Sequence, residues 1–293
     1  PADEAHGRLH RQRQKGRGRA LRAGRGRAPG GFHALRRLGQ NFLVDRGVLA
    51  EIVERSGVGE GDVVLEVGPG QGVLTRALLE RGCFLHAVEL DERLQPELEA
   101  LAATSEGRLR LHWGDALRLD FAALSPFPSK VIANIPYSIT TPLIWRLLTL
   151  APKGLAYCLL MVQKEAADRL LAPADTRERY PLGATLEVMG RTACVRRVPP
   201  CCFRPVPRVE SALVEIRVER RHDLLADGLW SELLHRAFAH RRKTLQNNLK
   251  GFKGISDWSA LLREAGVAPG VRAEDVSGPE WLLLCDLLRS RQA

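Results

Sequence analysis

Asp62-Val-Val-Leu-Glu-Val-Gly-Pro-Gly-Gln-Gly72 is the stretch that decides how this chain folds. Val63, Val64, Leu65 and Val67 make a short apolar run of strand length, and Gly68, Pro69, Gly70 and Gly72 stop it in a tight turn. Beyond the turn Val73, Leu74, Ala77, Leu78 and Leu79 recur at helical spacing, closed by Gly82. Phe84-Leu-His-Ala-Val-Glu-Leu90 then reads as a second strand, with Glu89 near its end. Strand, glycine turn, helix and strand form a nucleotide-binding half of a doubly wound, mostly parallel sheet. The fold class is therefore α/β.

Two cofactor classes compete for such a turn. Glu89 lies about 20 residues beyond Gly68, where a carboxylate meets a ribose hydroxyl. Dinucleotides and S-adenosylmethionine both carry that ribose. The dinucleotide fingerprint ends in a third glycine that packs helix on strand, and Leu74 and Thr75 occupy the region where it is needed. Glu66, just ahead of the glycines, would repel a pyrophosphate. It suits a cofactor bearing a cationic amino group and a sulfonium, so the spacing points to S-adenosylmethionine.

Further strand ends carry polar groups towards the same edge. Arg108-Leu-Arg-Leu-His-Trp-Gly-Asp-Ala116 is a third strand whose terminal Asp115 can accept an adenine amine or cap the next helix, two roles that coexist. Val131, Ile132 and Ala133 form a fourth strand that runs into Asn134-Ile-Pro-Tyr137. Pro136 fixes its own φ and excludes Ile135 from the helical region, which makes a stiff corner. There the Asn134 amide oxygen and the Ile135 carbonyl can both accept from one exocyclic amine, and Tyr137 offers a face for a heterocycle. The plain alternative is an ordinary strand-to-helix turn with a capping Asn and a core Tyr. An amine-gripping turn beside an adenosyl pocket describes an N-methyltransferase.

The remaining chain frames this unit. Asp45 caps a helix through Val48, Leu49, Ile52 and Val53 that ends at Gly57 and Gly59. Over residues 1–36, Arg8, Arg11, Arg13, Lys15 and further arginines alternate with Gly, Ala and Gln, a composition that favours disorder. That tail reads as an RNA-touching arm, an organelle transit peptide or a bland extension, and its lack of serine speaks against the transit peptide. A net charge of +10 over 293 residues implies a polyanionic partner. Cys83, Cys158, Cys194, Cys201, Cys202 and Cys285 lack metal spacing and read as reduced core thiols. His33, His86, His112 and His240 have no ligand-like spacing, so no metal is expected. No apolar run reaches the ~18 residues of a membrane span.

Leu38-Gly-Gln-Asn-Phe-Leu43, Glu66-Val-Gly-Pro-Gly70, Gly114-Asp-Ala116, Asn134-Ile-Pro-Tyr137, Met161-Val-Gln-Lys-Glu165 and Phe203-Arg-Pro-Val-Pro-Arg-Val-Glu-Ser-Ala212 occur in characteristic order and spacing. From Leu38 to about Leu288 the chain resembles the rRNA adenine N6-dimethyltransferases. These include the small-subunit enzymes and the macrolide-resistance methylases of the large subunit. The resemblance implies a Rossmann-like S-adenosylmethionine-dependent methyltransferase domain over 37–219 and a small all-helical recognition domain over 220–293. It implies cofactor contacts from Gln40, Asn41, Leu43, Glu66, Gly68, Gly70, Glu89, Leu90, Asp115, Ala116 and Asn134. Asn134, Ile135, Pro136 and Tyr137 would carry the reaction, with Phe203 either stacking on the second face of the base or forming plain core.

Arg241, Arg242 and Lys243, within a helix read over Ala237–Leu249, are expected on the RNA together with Arg204 and Arg208. That segment, Gln163-Lys-Glu165 and Arg272-Ala-Glu-Asp-Val-Ser-Gly-Pro-Glu-Trp281 are similar to the small-subunit branch. Asn134-Ile135 in place of Asn-Leu, and the arginine-rich tail, lean towards the resistance methylases. The resulting expectation is N6,N6-dimethylation of two adjacent adenosines in the 3′-terminal hairpin of 16S rRNA. The partner would be the pre-30S particle, and the enzyme a cytoplasmic monomer, or an organelle protein if the tail is a transit peptide. The alternatives are a 23S rRNA methylase and a non-catalytic RNA-binding relative.

Overall fold

A computed structural model of the protein describes residues 40–219 and 223–292, and the basic tail read over 1–36 lies outside them. The described chain opens with β1 (Phe42–Leu43) and α1 (Arg46–Ser56). The Asp45 carboxylate accepts the Val48 amide at 2.8 Å and so caps α1, and left-handed Gly57 closes it. β2 (Val63–Val67), α2 (Val73–Leu79), β3 (Phe84–Glu89), α3 (Gln95–Ala103), β4 (Leu109–Trp113), β5 (Lys130–Asn134), α4 (Thr140–Leu148) and β6 (Tyr157–Gln163) follow. Then come α5 (Lys164–Leu170), α6 (Pro181–Met189), β7 (Gly190–Val198), β8 (Phe203–Arg204) and β9 (Ser211–Val218). The chain closes with α7 (Leu229–Ala237), α8 (Leu245–Leu249), α9 (Trp258–Glu264) and α10 (Gly278–Gln292).

Seven strands form one sheet in the order β4-β3-β2-β5-β6-β9-β7. The first five are parallel, while β9 runs antiparallel between β6 and β7. Successive strands leave β2 in one direction and return to its other side as β5. That reversal opens a crevice at the carboxyl ends of β2 and β5, the position where such sheets take ligands.

Alternation along the strands buries both faces of the sheet. In β5, Val131 and Ala133 join the core shared with α4 and α6, whereas Ile132 joins the core shared with α1 and α2. Uninterrupted apolar runs such as Val131–Ala133 arise because both sides of a parallel strand are covered. The first of these cores continues from Leu65 of β2 to Leu288 of α10. Trp230 of α7 and Trp281 of α10 are wholly buried in it, and the Trp230 indole donates to Thr185 Oγ1 of α6 at 2.8 Å.

Two expectations are corrected. The helix read over 237–249 is two helices, because α7 stops at Ala237 and α8 starts at Leu245. Asn248 explains the break: its amide donates to the carbonyls of Ala237 at 2.7 Å and His240 at 3.1 Å, satisfying the end of α7 from outside. Arg241, Arg242 and Lys243 therefore sit, exposed, in a turn. Cys194 and Cys201 are exposed, so only Cys83, Cys158, Cys202 and Cys285 are core thiols.

Candidate active site

The glycine turn after β2 is built on backbone conformations that side chains rarely adopt, with φ of +73° at Gly68 and +56° at Gly70. A Cβ on Gly70 would stand 2.7 Å from the Phe42 ring, so the bare backbone is the surface on which β1 lies. β1 is tied down by antiparallel pairing with β8 and by the Val44 amide donating to the Cys202 carbonyl at 2.8 Å. Just ahead of it, Gln40 Nε2 donates to Asp91 Oδ2 at 2.7 Å. The segment 40–43 thus forms a strip across the turn.

Beneath this strip lie two adjoining cavities. The first, about 180 Å³, is walled by residues at the ends of β2, β3 and β4 and in the turn after β5. Val67, Val88, Leu90, Ala116 and Ile139 give it apolar walls, and Glu89 and Asp115 supply carboxylates. The second, about 40 Å³, is lined by Gln40, Asn41, Phe42, Gly68, Gly70, Asn134, Ile135, Pro136 and Tyr137. No Lys, Arg or His is among the residues lining either cavity.

Glu89 is nearly buried, and burial raises its carboxyl above the usual range. Three backbone amides oppose that shift: Gly70 at 3.1 Å on one oxygen, and Leu90 and Asp91 at 2.9 and 2.8 Å on the other. Asp91 is held low, at about 2, first by its bond to Arg93 and further by Gln40. Asp115 caps the following turn, accepting the Leu117 amide at 2.8 Å, and also lines the first cavity. The capping reading of Asp115 is thus met in a side chain that also faces a cavity.

Asn134 ends β5, and its Nδ2 donates to the Asn41 carbonyl at 2.9 Å. Committing the amino group in this way leaves the amide oxygen as the side chain's acceptor. Ile135 donates its amide to Met161 O at 3.1 Å, and the turn beyond starts with Ile139 donating to the Pro136 carbonyl, so the Ile135 carbonyl stands outside that ladder. Pro136 is extended at φ −55° and ψ 128°. Tyr137 is half-buried, its hydroxyl 2.7 Å from Ser211 Oγ, and burial raises its pKa.

Three expected residues stand away from the cavities. Phe203 is fully buried in the core with Leu43, Val48 and Val198, and no face of its ring is open to a base. Its strand instead backs β1. Leu43 likewise gives its side chain to that core. Glu66 is 1% exposed under the glycine turn, with Oε2 lacking a hydrogen-bond partner among the described residues. Burial pushes its carboxyl up to about 8, the facing Glu89 adds to the rise, and the neighbouring Thr75 opposes it. Asp91, Ser138 and Ile139 were not anticipated. For Asp91 the signal was present, a second carboxylate two positions beyond Glu89 at the same strand end.

The donor set tests the cofactor. A pyrophosphate would find two carboxylates and no counter-charge in these cavities. A ribose diol and an adenine amine are both hydrogen-bond donors, and two carboxylates set in apolar walls suit them. Fold and site define a Rossmann-like methyltransferase that uses S-adenosylmethionine. The chain belongs to the ribosomal RNA adenine dimethylase family, whose model matches residues 31–290. It is 43% identical over 251 residues to the ribosomal RNA small subunit methyltransferase A of Rubrobacter xylanophilus, across 85% of this chain and 93% of that protein. The crystal structure of a dimethyladenosine transferase from Plasmodium falciparum shares the fold at TM-score 0.74 and 24% identity, over 86% of this chain and 98% of that one. The 23S rRNA methyltransferase ErmE superposes at TM-score 0.63 with 26% identity, covering 85% of this chain and all of its own.

Proposed function

We propose that this protein transfers methyl groups from S-adenosylmethionine to the N6 atoms of adenosines in small-subunit rRNA. The observation that carries the reading is Asn134, whose amide is tied to the Asn41 carbonyl so that its oxygen, beside the Ile135 carbonyl, is left to accept from an amine. In this reading Glu89 takes the ribose hydroxyls and Asp115 the adenine amine, while Gln40, Asn41, Gly68, Gly70, Leu90 and Ala116 enclose the cofactor. Leu43 and Glu66 act from behind that wall. The cofactor, when bound, supplies an electrophilic methyl on a sulfonium.

The chain's own residues do the rest by orientation and electrostatics. Two acceptors on one exocyclic amine draw its lone pair out of conjugation with the ring and aim it. As positive charge moves to the nitrogen, the Asn134 oxygen and the Ile135 carbonyl stabilise it, so no strong base is required. Tyr137, anchored through Ser211, gives the extruded base a stacking face. Arg204, Arg208, Arg241, Arg242 and Lys243 meet RNA phosphates, the last three from the helical region that begins near 220. The expected substrate is the pre-30S particle, approached by a cytoplasmic monomer.

The test is transfer of labelled methyl from S-adenosylmethionine onto unmodified small-subunit particles, with large-subunit RNA in parallel. Two methyls on each target adenosine of the small subunit are expected. Labelling of the large-subunit RNA alone would overturn the substrate, and no labelling of either would overturn the reaction.

A further inference from the structure

α4 starts at Thr140, three residues beyond Tyr137, and carries Arg146 in its last turn. Arg146 Nη1 donates to the Leu117 carbonyl at 2.5 Å and Nη2 to the Leu119 carbonyl at 2.6 Å. The guanidinium also stands 5.5 Å from the centre of the Phe121 ring. Among the described residues no carboxylate pairs with Arg146, and its Nε is buried without a hydrogen-bond partner there; the Asp115 carboxylate faces Arg118 instead, at 3.8 Å. An arginine used without a counter-ion, with both terminal nitrogens on backbone carbonyls two residues apart, is set by geometry and not by charge pairing.

Those carbonyls belong to the turn that presents Asp115. Asp115 organises the turn from inside: its carboxylate takes the Leu117 amide at 2.8 Å, and its carbonyl takes the amides of Arg118 and Leu119 at 2.9 and 3.1 Å. The amide side of the turn is therefore held by Asp115 and the carbonyl side by Arg146. The helix that begins at the amine-gripping turn thus ends in a clamp on the opposite wall of the crevice. We infer that Arg146 is a positioning residue for the cofactor's adenine, fixing where Asp115 stands relative to Asn134 and Tyr137. The inference rests on the cofactor reading above.

A residue that only packed α4 would affect stability, without altering which base the pocket prefers. The decisive readout is therefore discrimination between S-adenosylhomocysteine and S-inosylhomocysteine, whose ring has a carbonyl oxygen in place of the exocyclic amine and so turns an acceptor towards Asp115 where the amine would donate. Calorimetry on the full chain should show wild type favouring the adenosyl ligand. Arg146→Gln should lose about tenfold of that affinity, the scale of a weakened charge-assisted bond, with little loss for the inosyl ligand. Arg146→Lys, one point donor in place of a fork, should fall between. Leu143→Ala, at a buried α4 position, removes volume but no hydrogen bond to those carbonyls and should lower the thermal midpoint and keep the ratio. An unchanged ratio in both Arg146 variants, or an equal narrowing in Leu143→Ala, overturns the inference. Failure of wild type to bind S-adenosylhomocysteine overturns the cofactor reading instead.

Discussion

At residue scale the proposed chemistry turns on Asn134. Among the described residues its side chain bonds the Asn41 carbonyl, from the half-buried end of β5. Asn134→Ala should leave the thermal midpoint near wild type and cut turnover by about 10²–10³, as loss of one preorganised polar group does elsewhere. Cofactor affinity should fall less than turnover, since only the strip over the glycine turn loses a tie. Near-normal turnover in the folded variant would sink the assignment. Glu89 differs because it holds three amides. Glu89→Ala should weaken cofactor binding by more than RNA binding in paired titrations, and a loss confined to RNA would mean the carboxylate serves something else. The polar residues at strand ends were readable because polarity at the end of an apolar strand has few explanations. Phe203 and Leu43 were not, since an apolar side chain looks the same in a core as in a pocket. Arg146 was invisible for another reason: its partners are carbonyls 29 and 27 residues away, and no spacing rule reaches them.

The element that departs most from its reading is the link between α7 and α8. Apolar spacing alone runs on through 237–249, but Asn248 reaches back 8 and 11 residues to take the carbonyls that a longer helix would have used. Side-chain-to-backbone bonds of that reach leave no periodic trace. The consequence is that Arg241, Arg242 and Lys243 project from a turn, where consecutive cations can share one surface instead of wrapping round a helix. Arg241 already donates to the Arg177 carbonyl, so it has less freedom than its neighbours. Replacing all three with alanine should preserve cofactor affinity, weaken RNA binding, and flatten its salt dependence by about one in log–log slope for each phosphate no longer neutralised. Filter-binding across a salt series measures this, and an identical slope would assign the turn to water.

Across the whole molecule, sheet and C-terminal helices share one apolar core, which predicts one unfolding event. Trp230→Ala should cost about 3–5 kcal/mol, the range for removing a large buried aromatic, and lower a single calorimetric transition. Two separated transitions would contradict the shared core. A second global property comes from β3 and β4, where His86 Nδ1 lies 3.0 Å from His112 Nε2 and His86 Nε2 lies 2.8 Å from the Pro126 carbonyl. The neutral pair satisfies every nitrogen facing inward. Burial, with nearby Arg110 contributing, holds both imidazoles below the 6.5 they show when unfolded. Their stabilisation is complete above pH 6.5 and drains away as pH falls through the folded values, because the unfolded chain binds those protons first. The thermal midpoint should therefore drop on acidification from pH 7 to 5, and less steeply in His86→Gln. Equal slopes in the two proteins would remove the pair as the cause. Gln40, Gly68 and Pro136 line both cavities, so a mutation at any of them reshapes both at once. The two pockets are therefore mechanically one linked pair. Variation that retunes one without disturbing the other has to arise at residues belonging to a single wall, Leu90 or Ser138 on one side and Tyr137 on the other.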